Sequence, residues 1–305
     1  MKKKPLLAAF KKQLGYHVLV WPALILTLIF CYIPMGGIII AFKDYRLRTG
    51  IIASPWAGFG NFKNIFDDPF ISQIVMNTLG IGILRMLVFF PIVLSFVMLL
   101  NELRVGVFKR VVQTVSYLPH FISWAIVAVI ITAMFSPSSG AVNRILLDLK
   151  IIREPFRVLT SLNGYWWLAI FTEIWMELGW SAIIYLAVLS GIDEAIYEAA
   201  KIDGAGRFAR MWHISLPSLK GIIAIMLIMT VSGIPNVGFN QAYFLSNNLT
   251  LDRAKTLSYH IYSTGIVDAR FSYSTAISLV LSVISAALMV MANTASKKLT
   301  DRGLY

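Results

Sequence analysis

Apolar residues in this chain gather into six long runs, near 16–42, 71–100, 111–135, 165–190, 222–239 and 273–296, separated by polar stretches. Each approaches the roughly 20 residues that an α-helix needs to cross about 30 Å of hydrocarbon. The pattern predicts an all-α integral membrane protein of about six transmembrane helices. The first run follows Lys2, Lys3, Lys4, Lys11 and Lys12. It is too long for a signal-peptide core and no small-residue cleavage site follows it, so it reads as a retained helix. Leu7, Phe10 and Leu14 suit a short amphipathic lead-in on the membrane surface. The predicted organisation is a tail with interfacial helix over 1–15, a transmembrane body over 16–300 and a short tail over 301–305.

Composition removes the soluble alternative. With 58% hydrophobic and 14% charged residues in 305 and a positive mean hydropathy, the chain exceeds what one water-soluble core could hide. Of the 27 Lys and Arg residues, fifteen fall on the face that carries both termini, eleven on the opposite face, and Arg85 lies within a span. The first face also has fewer loop residues, so its basic density is higher and both termini are expected in the cytoplasm. Much of the net charge of +12 therefore sits on one membrane face, where anionic lipid accounts for it and no nucleic-acid partner is needed. The single cysteine, Cys31, excludes an intrachain disulfide and a cysteine-based zinc site.

The outer loops around 43–70, 137–163 and 240–272 are long and carry turn signals such as Ser54-Pro55, Asp68-Pro69 and Asn247-Asn248. They offer a surface to something outside. The inner loop 101–110 is short. The inner loop 191–220 is the most structured soluble stretch: from Ile192 to Ile202 it favours a short helix with Ile192, Ala195, Ile196 and Ala199 on one face. Asp193 and Glu194 stand at its positive N-terminal end, and Gly204 suits its termination. A second short helix carries Phe208, Met211 and Trp212, and Leu216-Pro217 opens the next span. Two short helices and a glycine joint held between two spans make a compact lever for a partner that grips them.

Glu198-Ala199-Ala200, Asp203-Gly204-Ala205 and Ile214-x-Leu216-Pro217, at this spacing, resemble the EAA motif of binding-protein-dependent ABC importer permeases. Tyr32-Ile33-Pro34-Met35, the stretch from Ile40 to Tyr45, the stretch from Val112 to Trp124, and Gly179-Trp180 resemble the branch that imports polysaccharides and complex oligosaccharides. The resemblance covers nearly the whole chain. It implies a type I importer fold in a bacterial inner membrane, with the 191–217 loop as a cytoplasmic coupling helix seated in an ATPase. Glu198, Ala199, Ala200, Asp203, Gly204, Ala205, Leu216 and Pro217 are then the ATPase-coupling residues. The implied partners are a second homologous permease, two cytoplasmic ATPase subunits and an extracytoplasmic solute-binding protein, with a sugar as substrate. Relatives often carry a lysine where Glu177 stands.

The spacing Gly204-x-Gly206-x-x-Ala209 fits a dinucleotide fingerprint, but that motif works only between a strand and a helix. The sequence has no Gly-Lys pair and so no phosphate-binding loop; ATP and magnesium belong to a separate ATPase, and no cofactor is expected in this chain. His17, His120, His213 and His260 lie in different segments without metal-site spacing.

Arg85 in the second span, and Glu173 and Glu177 one turn apart in the fourth, are costly in lipid and should face protein or water. A structural pair between Arg85 and one acid and a polar lining of a translocation path both remain open. In the fifth span, Pro235 and Gly238 interrupt the helix near Asn236, Phe239, Asn240, Gln241 and Tyr243. Broken helices are tolerated where they line a cavity, and amides with aromatics suit sugar hydroxyls and ring faces; a simple kink is the alternative. Tyr165, Trp166 and Trp167 read as an interfacial belt. Rival readings are an ABC permease for glycerol-phosphate, an amino acid or an osmolyte, an ion-driven secondary transporter using Arg85, Glu173 and Glu177 as its relay, and an intramembrane enzyme. The lack of a paired nucleophile and base counts against the enzyme.

Overall fold

The computed structural model describes residues 14–103 and 106–300. The expected lead-in through Leu7 and Phe10, Arg104 and the 301–305 tail lie outside the described residues. Among those residues there is no β-strand, only an isolated bridge between Lys43 and Trp56.

Among the described residues four helices are long and apolar enough to cross a membrane: α1 (Leu14–Phe42), α2 (Ile71–Glu102), and two later ones, Tyr165–Leu189 and Phe271–Lys298. Two further spans are bent pairs. Val107–Phe121 meets Trp124–Phe135 at 106°, and Arg207–Ser218 meets Lys220–Asn236 at 64°. Counting each pair once gives the six spans that the apolar runs predict. The helices are labelled α3 (Val107–Tyr117), α4 (Trp124–Phe135), α5 (Tyr165–Leu189), α6 (Glu194–Ile202), α7 (Lys220–Gly233) and α8 (Phe271–Thr300).

The third span departs from expectation, because the run 111–135 is not one helix. Pro119 has no N–H to continue the α-ladder; the chain tightens into a 3-10 turn over Leu118–Phe121, passes through extended Ile122, and restarts at Ser123. The Ser123 hydroxyl accepts from the Ile126 N–H at 3.5 Å, an N-cap by position. Hydropathy rises through the break, from amphipathic Val107–Tyr117 to apolar Trp124–Phe135, and so does not mark it as a bend. Single π-helical turns also interrupt the spans, at Leu28–Tyr32, Arg85–Phe89 and Met211–Ser215, each absorbing one extra residue.

The chain divides into two compact units, residues 1–67 with 264–279, and 68–263 with 280–305. In the first, the segment after α1 is folded, not loose. Phe42 stacks on Trp56 and meets Phe59 and Phe62, while Asn61 Nδ2 donates to the carbonyls of Ala41 and Lys43. The Tyr45 N–H donates to Ser272 Oγ at 2.9 Å.

In the second unit, Val93, Val97 and Met98 of α2 pack with Ala182, Tyr185 and Leu189 of α5 and with Leu219. A second cluster joins Ile81, Tyr165, Ala169, Ile170, Val237 and Ala254. Gly179 lets α3 lie directly on α5: a Cβ there would overlap the Ser116 carbonyl oxygen and lie 2.8 Å from the Tyr117 ring. The stretch 240–272, expected as an outer loop, carries short helices over Phe239–Leu245, Leu251–Ala254 and Leu257–Tyr262. Polar residues of α2 hold it. Asn77 Nδ2 donates to the carbonyls of Asp252 and Lys255, and Thr78 Oγ1 accepts from the Leu257 N–H. Buried backbone groups demand such partners, which explains two polar side chains inside an apolar helix.

Candidate functional site: a jointed lever and a polar interior

The lever forms as the sequence predicts, starting two residues later at Glu194. Asp193 caps α6, its Oδ1 accepting from the Ala195 N–H at 2.9 Å. At the other end Gly204 adopts φ +82°. The N–H of Ala205 reaches the Ala200 carbonyl at 2.8 Å and that of Gly204 reaches Lys201 at 3.1 Å, the paired bonds of a Schellman terminator. Any residue but glycine is strained there. The chain re-enters helix at Arg207–Arg210, passes through the π-turn Met211–Ser215 and the turn Leu216–Ser218, and bends at Leu219 into α7. Tyr197 Oη and Ser215 Oγ share a hydrogen bond of 2.8 Å that folds the two arms together.

Of the face expected to be apolar, Ile192 is half-buried against the cluster built on Val93, Val97 and Leu219, and the rest is uncovered within this chain. Ala195, Ile196 and Ala199 are exposed, Ile202 is 87% exposed, and Glu198, Asp203, Gly204 and Pro217 are exposed beside them. Ala200, Ala205 and Leu216 are half-buried and hold the lever's inner side. One contact escaped the sequence reading. Arg210 Nη2 donates to Glu102 Oε2 at 2.9 Å, a link across 108 residues that no local pattern signals.

The interior charges sort into two pairs. Arg85 Nε lies 3.0 Å from Glu173 Oε1, with side chains 39% and 9% exposed. Glu177 takes a different partner, His120 Nδ1, at 2.9 Å. His120 lies in the break of the third span, its ring stacked on Trp180 at 4.2 Å and 4°, and Phe121 meets Trp180 edge-on. The 106° bend thus brings an imidazole to an acid one turn from the first pair. His120 has no spacing relation to Glu177, but Pro119 and Ser123 are local signals from which the break was legible.

The fifth-span candidates separate. Asn236, in the 3-10 turn Ile234–Asn236, donates from Nδ2 to Ser285 Oγ at 3.3 Å. Gly238 at φ +77° then turns the chain into the next short helix. Phe239 and Tyr243 stack there and both meet Tyr262; Gln241 is buried and Asn240 half-buried. The expected aromatic belt reduces to Trp167, 47% exposed, whereas Tyr165 is fully buried. Trp166 Nε1 donates to the Arg253 carbonyl at 3.0 Å, and the Arg253 guanidinium covers its ring.

Comparison with known proteins agrees with this geometry. A family model described as binding-protein-dependent transport system inner membrane component matches residues 87–301. The chain is 39% identical over 299 residues to Protein LplB of Bacillus subtilis (strain 168), covering 98% of this chain and 93% of that one. It is 37% identical over 306 residues to the polygalacturonan/rhamnogalacturonan transport system permease protein YteP of the same organism, covering 100% and 94%. Its fold matches a chain of a bacterial alginate ABC transporter, solved in complex with alginate pentasaccharide-bound periplasmic protein. The TM-score is 0.88, with 32% identity, 99% of this chain and 100% of that chain covered. With the family model spanning most of the sequence and two relatives aligned along nearly all of it, this chain belongs to the binding-protein-dependent transport system inner membrane components, the multi-pass permease subunits of ABC transporters.

Proposed function

We propose that this permease imports an oligosaccharide or polysaccharide fragment across the bacterial inner membrane by alternating access. The observation that carries the mechanism is the uncovered apolar and acidic face of α6, held by a capped helix and a glycine joint between two spans. Two cytoplasmic ATPase subunits, which bind ATP and magnesium, grip this lever and its counterpart on a second, homologous permease. Both termini then lie in the cytoplasm, as the distribution of basic residues supports. Glu198, Ala199, Asp203 and Gly204 form the exposed part of the contact; Ala200, Ala205, Leu216 and Pro217 shape it. A ligand shifts such an equilibrium only through unequal affinity for its two states, so ATP acts by favouring the lever position in which the ATPases close.

The breaks in the third and fifth spans support a path beside α5. Non-helical backbone at membrane depth is tolerated where it is buried in protein or lines a wet cavity. Glu177, His120 and Trp180 combine hydrogen-bonding groups with an aromatic face, the chemistry that suits a sugar ring; the Arg85–Glu173 pair and Asn236 add polar groups. Phe239, Asn240, Gln241 and Tyr243, in the segment after Gly238, are proposed at the outer mouth, where a solute-binding protein delivers its cargo. The alginate complex and the rhamnogalacturonan permease are similar to this chain over nearly its full length, which makes acidic oligosaccharides the first substrates to test.

The test is ATP-dependent uptake of labelled oligosaccharides by proteoliposomes containing the permease pair, the ATPases and the binding protein. Gly204→Pro and Ala199→Trp should abolish uptake while the permease remains inserted and monodisperse. Unchanged uptake in both would remove the lever from the mechanism, and uptake driven by a proton gradient without ATP would remove the reading itself.

A further inference from the structure

The lever is joined covalently to α5 at one end and α7 at the other, and it is tied to α2 by apolar packing and by an ion pair. Glu102 is the last residue of α2; the next residue, Leu103, is extended. Arg210 Nη2 donates to Glu102 Oε2 at 2.9 Å, and Nη1 donates to the Ala205 carbonyl at 3.2 Å. The two charged side chains are 12% and 13% exposed. One guanidinium therefore holds two things at once: the residue immediately after the Gly204 joint, and the inner end of a membrane span.

Chemistry singles out this contact. A nearly buried ion pair adds little net stability over apolar packing of the same volume, so stability alone does not explain its presence. Lys109, Lys201 and Arg207 line the same cavity of about 950 Å³ with Glu194 and Tyr197, so cations were available nearby. An arginine fork instead fixes direction as well as distance. The remaining links between lever and α2 are apolar, through Met211 and Leu216 against the cluster built on Val93, Val97 and Leu219. Apolar surfaces slide without preferred direction; a fork held at both ends does not.

We infer that Arg210 and Glu102 are positioning residues that lock the lever to α2, so that displacement of α6 moves the second span together with the fourth and fifth. The far consequence is at Arg85, on the same helix, which the motion would carry together with Glu173 of α5. This rests on the reading of α6 as the ATPase contact.

The experiment uses the complete transporter in proteoliposomes, comparing wild type with Glu102→Gln, Arg210→Gln, Arg210→Lys and the exchanged pair Glu102→Arg/Arg210→Glu. Three readouts are taken: co-purification of the ATPases, ATP hydrolysis stimulated by loaded binding protein, and sugar transported per ATP. Arg210→Gln and Glu102→Gln should retain the ATPases and hydrolyse ATP, yet transport about tenfold less sugar per ATP, the scale of change seen along coupling networks. The exchanged pair should recover part of the loss, since it restores the ion pair but not the bond to Ala205. Arg210→Lys, which keeps charge without the fork, should lie between wild type and Arg210→Gln, and it decides the matter if the neutral variants do not fold. Unchanged sugar per ATP in Arg210→Gln, or in Arg210→Lys where only that variant folds, overturns the inference. Recovery absent in a folded exchanged pair also overturns it. Loss of ATPase co-purification only in Ala199→Trp supports the lever reading separately.

Discussion

Replacing Arg85 by Met removes the counter-ion of Glu173, whose side chain is only 9% exposed. Replacing Glu173 by Gln strands a guanidinium that is 39% exposed and that, on the proposed path beside α5, faces water. Two unit charges about 4 Å apart attract by about 4 kcal/mol at an effective dielectric of about 20. The exposure of Arg85 draws that figure toward the range of surface pairs, about 0–1 kcal/mol. A coupling energy of about 2 kcal/mol is therefore expected. Arg85→Met, which leaves a buried carboxylate alone, should cost about 3 kcal/mol, the lower end for a broken buried pair. Glu173→Gln should cost about 1–2 kcal/mol, and the double variant should cost about 2 kcal/mol less than the sum. The measurement is a double-mutant cycle by SDS titration of the purified transporter, with unfolding read by tryptophan fluorescence. A coupling below about 0.5 kcal/mol, or a greater loss from Glu173→Gln than from Arg85→Met, would refute the asymmetry argued from burial.

Three other outcomes follow from geometry. Gly179→Ala places a methyl group against the Ser116 carbonyl and the Tyr117 ring; backbone cannot rotate away, so α3 must move, and the thermal midpoint should fall by an amount matching about 1–3 kcal/mol. Asn77→Leu leaves the Asp252 and Lys255 carbonyls without their donor, and the same titration should register a loss of about 2–4 kcal/mol. Asp193→Ala removes the α6 cap, worth about 1 kcal/mol, so amide exchange at Ala195 should quicken about fivefold while the α5 core keeps its protection.

How much of this was legible in the sequence depended on the reach of each signal. Apolar runs report membrane spans because the bilayer acts on every residue of a run, so six spans and the 191–217 lever were readable. The glycine terminator was readable because Gly204 solves a problem posed within five residues of itself. Direction within a run was not read: Val111–Phe135 carries Gln113, Thr114, Ser116 and His120 ahead of its apolar half, and its 106° bend rests on Pro119 and Ser123, local marks that a count of apolar runs passes over. The pairing of Arg85 with an acid followed from the cost of isolated charge in lipid, but the choice of Glu173 over Glu177 depended on His120, placed by that unseen bend. Asn77 and Thr78 gave no signal in the sequence because their partners lie 175 to 179 positions onward. Glu102 and Arg210 escaped for the same reason.

The π-turn at Arg85–Phe89 sets the angular phase of the whole second helix. Ile81 and Val93, both nearly inaccessible, stand twelve positions apart, which in an uninterrupted helix of 3.6 residues per turn separates them by about 120°. Absorbing one residue in the wide turn cuts that to about 20°, so the outer and inner halves point their packing surfaces the same way. Deleting exposed Leu87 would remove that extra residue and leave a regular rod whose two halves, now eleven positions apart, keep the same phase of about 20°.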